Sequence, residues 1–352
     1  MAANGSAAAV LARMALPVLL RLPPESAHRL GLLGLRFLQP FWPPPSGTSR
    51  LQVNTLGLRF AHPVGLAAGF DKNGDYLDAL GALGFAHIEV GTVTPRPQPG
   101  NARPRLLRVR RAQALINRMG FNNRGAEHVA HRLRSAKYRG VRGISIGKNA
   151  DTPLERAAGD YLECLGKLYD VADYFAVNVS SPNTARLREL QSVDALAGVL
   201  EPLMQERQRL EARHGKRVPL LVKISPDLGA AEIRDLCRTL VRHAVDGVIA
   251  TNTSTDVPEL RSELEASRGG GVSGAPLTQK SLAILCQLRH ELGPDFPLVS
   301  VGGIMNAADA RARLVAGADL VQLYTGFVYR GAALLAEILA MLEAEPQPLK
   351  HT

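Results

Sequence analysis

The sequence of 352 residues predicts an α/β fold, a parallel (β/α)8 TIM barrel behind a small N-terminal helical segment. Three observations carry this: eight short apolar runs, stretches of helical period between them, and a polar residue at the end of every run. The runs are rich in β-branched residues and stop at Gly, Asn, Ser or Thr. They occupy 64–69, 87–94, 143–148, 174–181, 220–225, 247–253, 298–304 and 320–326. Helical period follows in 75–83, 161–171, 195–210, 230–242, 278–292, 307–315 and 332–342. No hairpin signal joins successive barrel runs, so the sheet is expected to be parallel. An open doubly wound sheet would want a glycine-rich dinucleotide turn after its first strand, and Gly65-Leu66-Ala67-Ala68-Gly69 lacks that spacing.

Barrel active sites sit where strands end, and those ends carry Lys72, Thr92, Asn149, Ser181, Lys223, Asn252, Gly303 and Tyr324. Two pieces fall outside the repeat. Residues 95–118 form a long Pro/Arg-rich connection after the second strand, a length that suggests a lid or binding segment. Residues 1–48 are expected to be a separate helical segment, with the barrel over 49–345 and a tail at 346–352. Leu22-Pro23-Pro24-Glu25 can open a helix running to about Leu38, and Phe41-Trp42-Pro43-Pro44-Pro45 can end the segment. Apolar side chains cover most of that helix, leaving His28, Arg29, Arg36 and Gln39 as a narrow polar edge. Two readings stay open: a cap packed on the barrel, or a monotopic insertion into a bilayer.

Lysine and arginine number 42 against 32 acids, a net charge of +10 that suits an anionic substrate, a phosphate-bearing cofactor or an anionic membrane. Nucleic acid is not expected, since zinc-finger, RNA-binding and basic-heptad signatures are lacking and only 5% of residues are aromatic. Cys164, Cys237 and Cys286 lack CxxC spacing and are expected to be reduced core thiols. The start of the chain has no basic n-region, and Arg13 and Arg21 interrupt the apolar run, which argues against a signal peptide or a spanning helix. The histidines are dispersed, so no metal is expected.

Seven motifs in order at strand ends decide the chemistry. They are Ala67-Ala68-Gly69-Phe70-Asp71-Lys72, Gly91-Thr92-Val93-Thr94-Pro95 with Asn117-Arg118-Met119-Gly120-Phe121-Asn122, Asn178 to Thr184, Ile249 to Thr253, Gly270 to Gly274, Val301 to Ile304, and Gln322 to Gly326. Together they closely resemble the dihydroorotate dehydrogenases over nearly the whole chain. The resemblance implies one FMN per subunit, oxidation of dihydroorotate to orotate, and Ser181 as the base that takes the C5 proton while the C6 hydride goes to FMN. Thr184 and Phe121 would shape the proton relay. Lys72, Asn117, Arg118, Met119, Gly120, Phe121, Asn178, Asn183, Asn252 and Thr253 would bind the substrate, whose amide edges need donor and acceptor together. Ala68, Gly69, Phe70, Asp71, Lys72, Thr92, Ser145, Asn178, Lys223, Thr251, Gly274, Gly303, Tyr324 and Thr325 would hold FMN, with its phosphate after the last two strands. Ser145 departs from the family, which usually has asparagine there.

The soluble branch of that family carries cysteine as base, so Ser181 points to the quinone-reducing branch, as does the apolar N-terminal segment. A tunnel between that segment and the barrel would take the quinone co-substrate, with His28, Arg108 and Tyr324 on its wall. Leu19 stands where some members have a polar residue. The expected location is peripheral, on the cytoplasmic face of a bacterial inner membrane. Rival readings separate cleanly: a soluble member needs a cysteine base or an extra iron–sulfur subunit, a non-catalytic scaffold binding flavin and membrane would not be bleached by dihydroorotate, and a Schiff-base aldolase or isomerase would be colourless.

Overall fold

The computed structural model describes residues 6–42 and 49–345; the proline run, the boundary at 48 and the tail at 346–352 lie outside them. Helices α1 (Ala7–Leu19) and α2 (Pro24–Leu38) pack on each other, and a proline in the first turn opens α2 where the sequence places it. A hairpin of Val53–Thr55 and Leu58–Phe60 follows.

Eight parallel strands then close into a barrel: β1 (Val64–Leu66), β2 (His87–Val93), β3 (Val141–Ile146), β4 (Tyr174–Asn178), β5 (Leu220–Ile224), β6 (Gly247–Ala250), β7 (Leu298–Val301) and β8 (Leu320–Leu323). Each is followed by a helix: α3 (Leu77–Gly81), α4 (Gly125–Ser135), α5 (Ala157–Leu168), α6 (Val193–His214), α7 (Ala230–Arg242), α8 (Thr278–Leu292), α9 (Ala307–Val315) and α10 (Ala332–Ala344). The strands read as nearly continuous apolar runs because helices cover one face and the lumen the other; every residue of β2 is buried. Leu56 and Phe60 of the hairpin pack with Tyr174, Leu221, Ile249 and Leu320 in the lumen and stop the barrel at the end away from the strand C-termini. Ligands therefore reach the lumen from the other end.

Four expectations change. The connection at 95–118 is not bare loop: Leu106–Val109 and Ala114–Asn117 form an antiparallel pair extended by Gly271–Gly274 over a small core of its own. Helix α4 was not foreseen, although Ala126, Val129, Ala130 and Leu133 are buried at helical spacing. Cys286 is exposed, while Cys164 and Cys237 are core thiols. Along α2, His28 leaves the expected polar edge and turns inward to meet Phe70 edge-on, and Leu30, Leu33 and Phe37 are exposed in its stead.

Candidate active site

The C-terminal ends of the strands surround an open cleft. Its wall holds Ser181, Lys72, Asn117, Met119, Gly120, Phe121, Asn178, Asn183, Asn252 and Thr253, and also Ala68, Gly69, Thr92, Lys223, Thr251, Gly274, Gly303, Tyr324 and Thr325. A network fixes the amides. Asn252 donates to Asn178 Oδ1 (3.2 Å) and Ser180 Oγ (3.0 Å), Asn178 donates to Thr92 Oγ1 (2.8 Å), and Asn183 donates to Asn117 Oδ1 (3.0 Å). Their free polar edges are thereby held toward the cleft, since each flip would break a bond already made.

The segment 118–121 presents its backbone. Asn101 Nδ2 donates to Arg118 O, Asn101 N to Met119 O and Gln98 Nε2 to Gly120 O, each at 3.0 Å. In a planar trans peptide the N–H opposes the C=O, so tying three carbonyls outward turns the amides of Met119, Gly120 and Phe121 the other way, a row suited to an anion. Gly120 (φ 70°) and Phe121 (φ 52°) both take the left-handed turn this needs. Gln98 and Asn101 escaped the sequence reading; polar amides in a Gly/Pro-rich loop were the only signal.

Two lysines reach the cleft. Lys72 donates to Gly69 O (2.6 Å), and burial, helped by the charge of Arg105, lowers its pKa to about 8. Lys223 meets Glu89 (3.3 Å), which is fully buried in the lumen and also accepts from Tyr174 (3.0 Å) and Gln322 (2.9 Å). The sequence reading missed Glu89, an acid in the middle of an apolar strand. No carboxylate or imidazole stands on the cleft wall among the described residues. Ser181, 6% exposed, offers its hydroxyl there and accepts from Asn183 N (3.3 Å).

Four expected site residues stand off this wall, and so does Thr184. Ser145 is fully buried in β3, its Oγ 2.9 Å from Thr92 Oγ1, so it backs the wall. Asp71 accepts from the backbone N–H groups of Asn73, Asp75 and Tyr76 and shapes that turn. Arg118 reaches Arg268 O (3.4 Å), and Phe70 faces a different cavity. Thr184 is buried three residues beyond Ser181.

Comparison with known proteins decides what this cleft belongs to. Residues 50–345 match the dihydroorotate dehydrogenase family. The chain is a dihydroorotate dehydrogenase family member. Bacterial relatives named dihydroorotate dehydrogenase (quinone) include that of Aromatoleum aromaticum, 48% identical over 93% of this chain and 94% of its own. The Methylococcus capsulatus relative is 51% identical over 92% and 96% respectively. The Eimeria tenella DHODH crystallised with ferulenol superposes with a TM-score of 0.83 at 36% identity, covering 91% of this chain and 90% of that one.

In this family member, the cleft suits a flat cofactor with polar edges. Thr253 Oγ1 and Gln322 Oε1 are buried on the wall without a protein partner. At Gly274 an added Cβ would lie 2.3 Å from Gln113 O, so the backbone itself must form the edge there. Thr325 Oγ1 is held by Ser273 Oγ at 2.8 Å beside it.

A second, partly open cavity lies between α1, α2 and the barrel. It is mostly apolar, with His28 and Arg108 as polar wall members, and Tyr324 lines both cavities. Arg108 donates to Leu20 O (2.7 Å) and Leu22 O (3.2 Å), which ties the α1–α2 turn to the antiparallel sheet. Burial, then the charge of Lys72, lowers the His28 pKa to about 3, so it is a neutral ring. Glu25 pins α2 through Arg105 (2.8 Å) and Arg103 (3.1 Å). Among the described residues no helix is long and apolar enough to cross a membrane.

Proposed function

We propose that this chain oxidises dihydroorotate to orotate on FMN bound in the cleft, and that a membrane quinone entering through the second cavity takes the electrons. The observation that carries the base assignment is a cleft whose wall offers Ser181 but no carboxylate or imidazole. FMN, when bound, supplies a two-electron acceptor for the hydride leaving C6. Ser181 takes the C5 proton and passes its own hydroxyl proton on to water at the mouth, because the lysines on the wall are donors. The amides of residues 119–121 and Lys72 meet the substrate carboxylate. Asn117, Asn178, Asn183 and Asn252 hold the pyrimidine edges, and Lys223 puts positive charge where the reduced ring gathers electrons.

The quinone reading rests on an apolar chamber separated from the cleft by Tyr324. Peripheral membrane attachment is supported by exposed Leu11, Met14, Val18, Leu33, Phe37 and Phe41 beside exposed Arg13, Arg21, Arg29 and Arg36; the membrane we propose is the bacterial inner membrane, on its cytoplasmic side. Residues 1–48 are then the membrane and quinone segment, and 49–345 the catalytic barrel.

Anaerobic mixing of the purified flavoprotein with dihydroorotate should bleach the flavin absorbance. Ser181→Ala should keep its flavin and its substrate affinity yet bleach slower by roughly 10²–10⁴. A parent protein that stays yellow would sink the reading, and a Ser181→Ala variant with the parent's rate would remove Ser181 from the base role.

A further inference from the structure

Arg313 has no part in the reading above. It lies in α9 and is 1% exposed, among the largest fully buried side chains. Its Nη2 donates to Thr278 O (2.6 Å) and Gly302 O (3.0 Å), while Nη1 is buried without a partner. No ion pair reaches it among the described residues, and the nearby Asp309 is occupied by the N–H groups of Met305 and Asn306. Burial pushes the guanidinium down to about 10, so it stays charged at neutral pH. The charge of Asp309 acts on it from a distance and offsets burial only in part; a buried cation without a direct ion pair is costly, and an apolar side chain of like size would avoid that cost.

Its position shows what could compensate it. The Gly302 carbonyl accepts from Arg313 and from Ser281 Oγ (2.7 Å), and the Gly303 carbonyl accepts from Thr278 Oγ1 (2.7 Å). With both carbonyls tied back, the N–H groups of Gly303 and Ile304 turn toward the cleft that these residues line. Only glycine fits at 303, where φ is 73° and a Cβ would lie 2.3 Å from Thr278 N.

We propose that Arg313 is a positioning residue and buried counter-charge for the cofactor's phosphate, acting through the Gly302–Gly303 peptides, and that it makes this chain select a phosphorylated over an unphosphorylated flavin. The inference rests on the flavin reading of the cleft. It assigns no direct contact between Arg313 and the phosphate; the guanidinium acts by fixing two amide donors and by the positive field behind them.

The test is a titration of flavin-stripped protein with FMN and, separately, riboflavin, followed by quenching of flavin fluorescence. Parent protein should prefer FMN by about 100-fold or more, and R313M should cut that ratio by about tenfold or more while riboflavin affinity stays within about twofold. R313K should recover most of the ratio. Should R313M fail to fold, R313Q carries the same comparison. Equal weakening of both flavins would make Arg313 a structural clamp and overturn the inference while leaving the flavin site standing. A parent protein that binds FMN no better than riboflavin would instead overturn the phosphate reading beneath it.

Discussion

Ser145 stands behind Thr92, and that decides what its hydroxyl is worth. Thr92 is held from two sides, by Ser145 Oγ at 2.9 Å and by Asn178 Nδ2 at 2.8 Å, and it is Thr92 that lines the cleft. Removing the Ser145 hydroxyl leaves one of those supports. Ser145→Ala should therefore lower stability by about one net hydrogen bond, ~0.5–1.5 kcal/mol in urea unfolding, with FMN affinity falling by less than about threefold. A much larger loss of flavin in the same variant would mean that the serine touches the cofactor itself. At this scale the sequence told which residues gather at the strand ends, because chain order and strand polarity bring them to one mouth. It did not tell which stand in front: Ser145 and Thr92 both lie inside short apolar runs, and only their packing separates wall from backing. Glu89 and Arg313 were illegible for a related reason, since their partners lie far along the chain and a buried charge leaves no local pattern.

Helices α1 and α2 touch the rest of the molecule through a cavity wall, through Leu32 and Leu35 packed on the main core, and through a few polar ties, chiefly Glu25 to Arg105 and Arg108 to the α1–α2 turn. None of their residues lines the cleft. A chain beginning near Ser49 should fold, keep its flavin and be reduced by dihydroorotate at close to the full-length rate, yet fail with long-chain quinone and lose attachment to liposomes. The comparison needs monodisperse protein, because Phe70, Phe327 and Leu115 would lose their cover. Full quinone turnover by the shortened chain would show that the acceptor has another route to the flavin. The barrel elements were readable because helix and lumen bury both faces of a short strand, which imposes unbroken apolar runs. The Leu106–Val109 strand buries one face only, and with arginine inside it and proline before it the signal reads as loop. In α4 the apolar spacing was present but sat among five charged or histidine side chains.

The molecule as a whole carries buried histidines whose neutrality is a condition of the fold. His87 is fully buried in the barrel against Phe60, neither ring nitrogen has a partner, and burial holds its pKa near 3; His62, beside it, is held near 4, also by burial. Both values lie below the ordinary 6.5, so the unfolded chain binds more protons between those limits. Stability is then full above about pH 6.5 and is lost as pH falls toward 3, by up to about 2 kcal/mol per histidine at pH 5. His87→Leu should shrink the difference between urea midpoints at pH 7 and pH 5; an unchanged difference would mean that His87 is not the source. Tyr324 has a consequence at the same scale. Because one phenol forms part of the wall of both chambers, occupancy of one does not require vacancy of the other. A compound lodged among α1, α2 and Phe327 would therefore depress maximal velocity however much dihydroorotate is added, and crowding the oxidation site with product would not dislodge it.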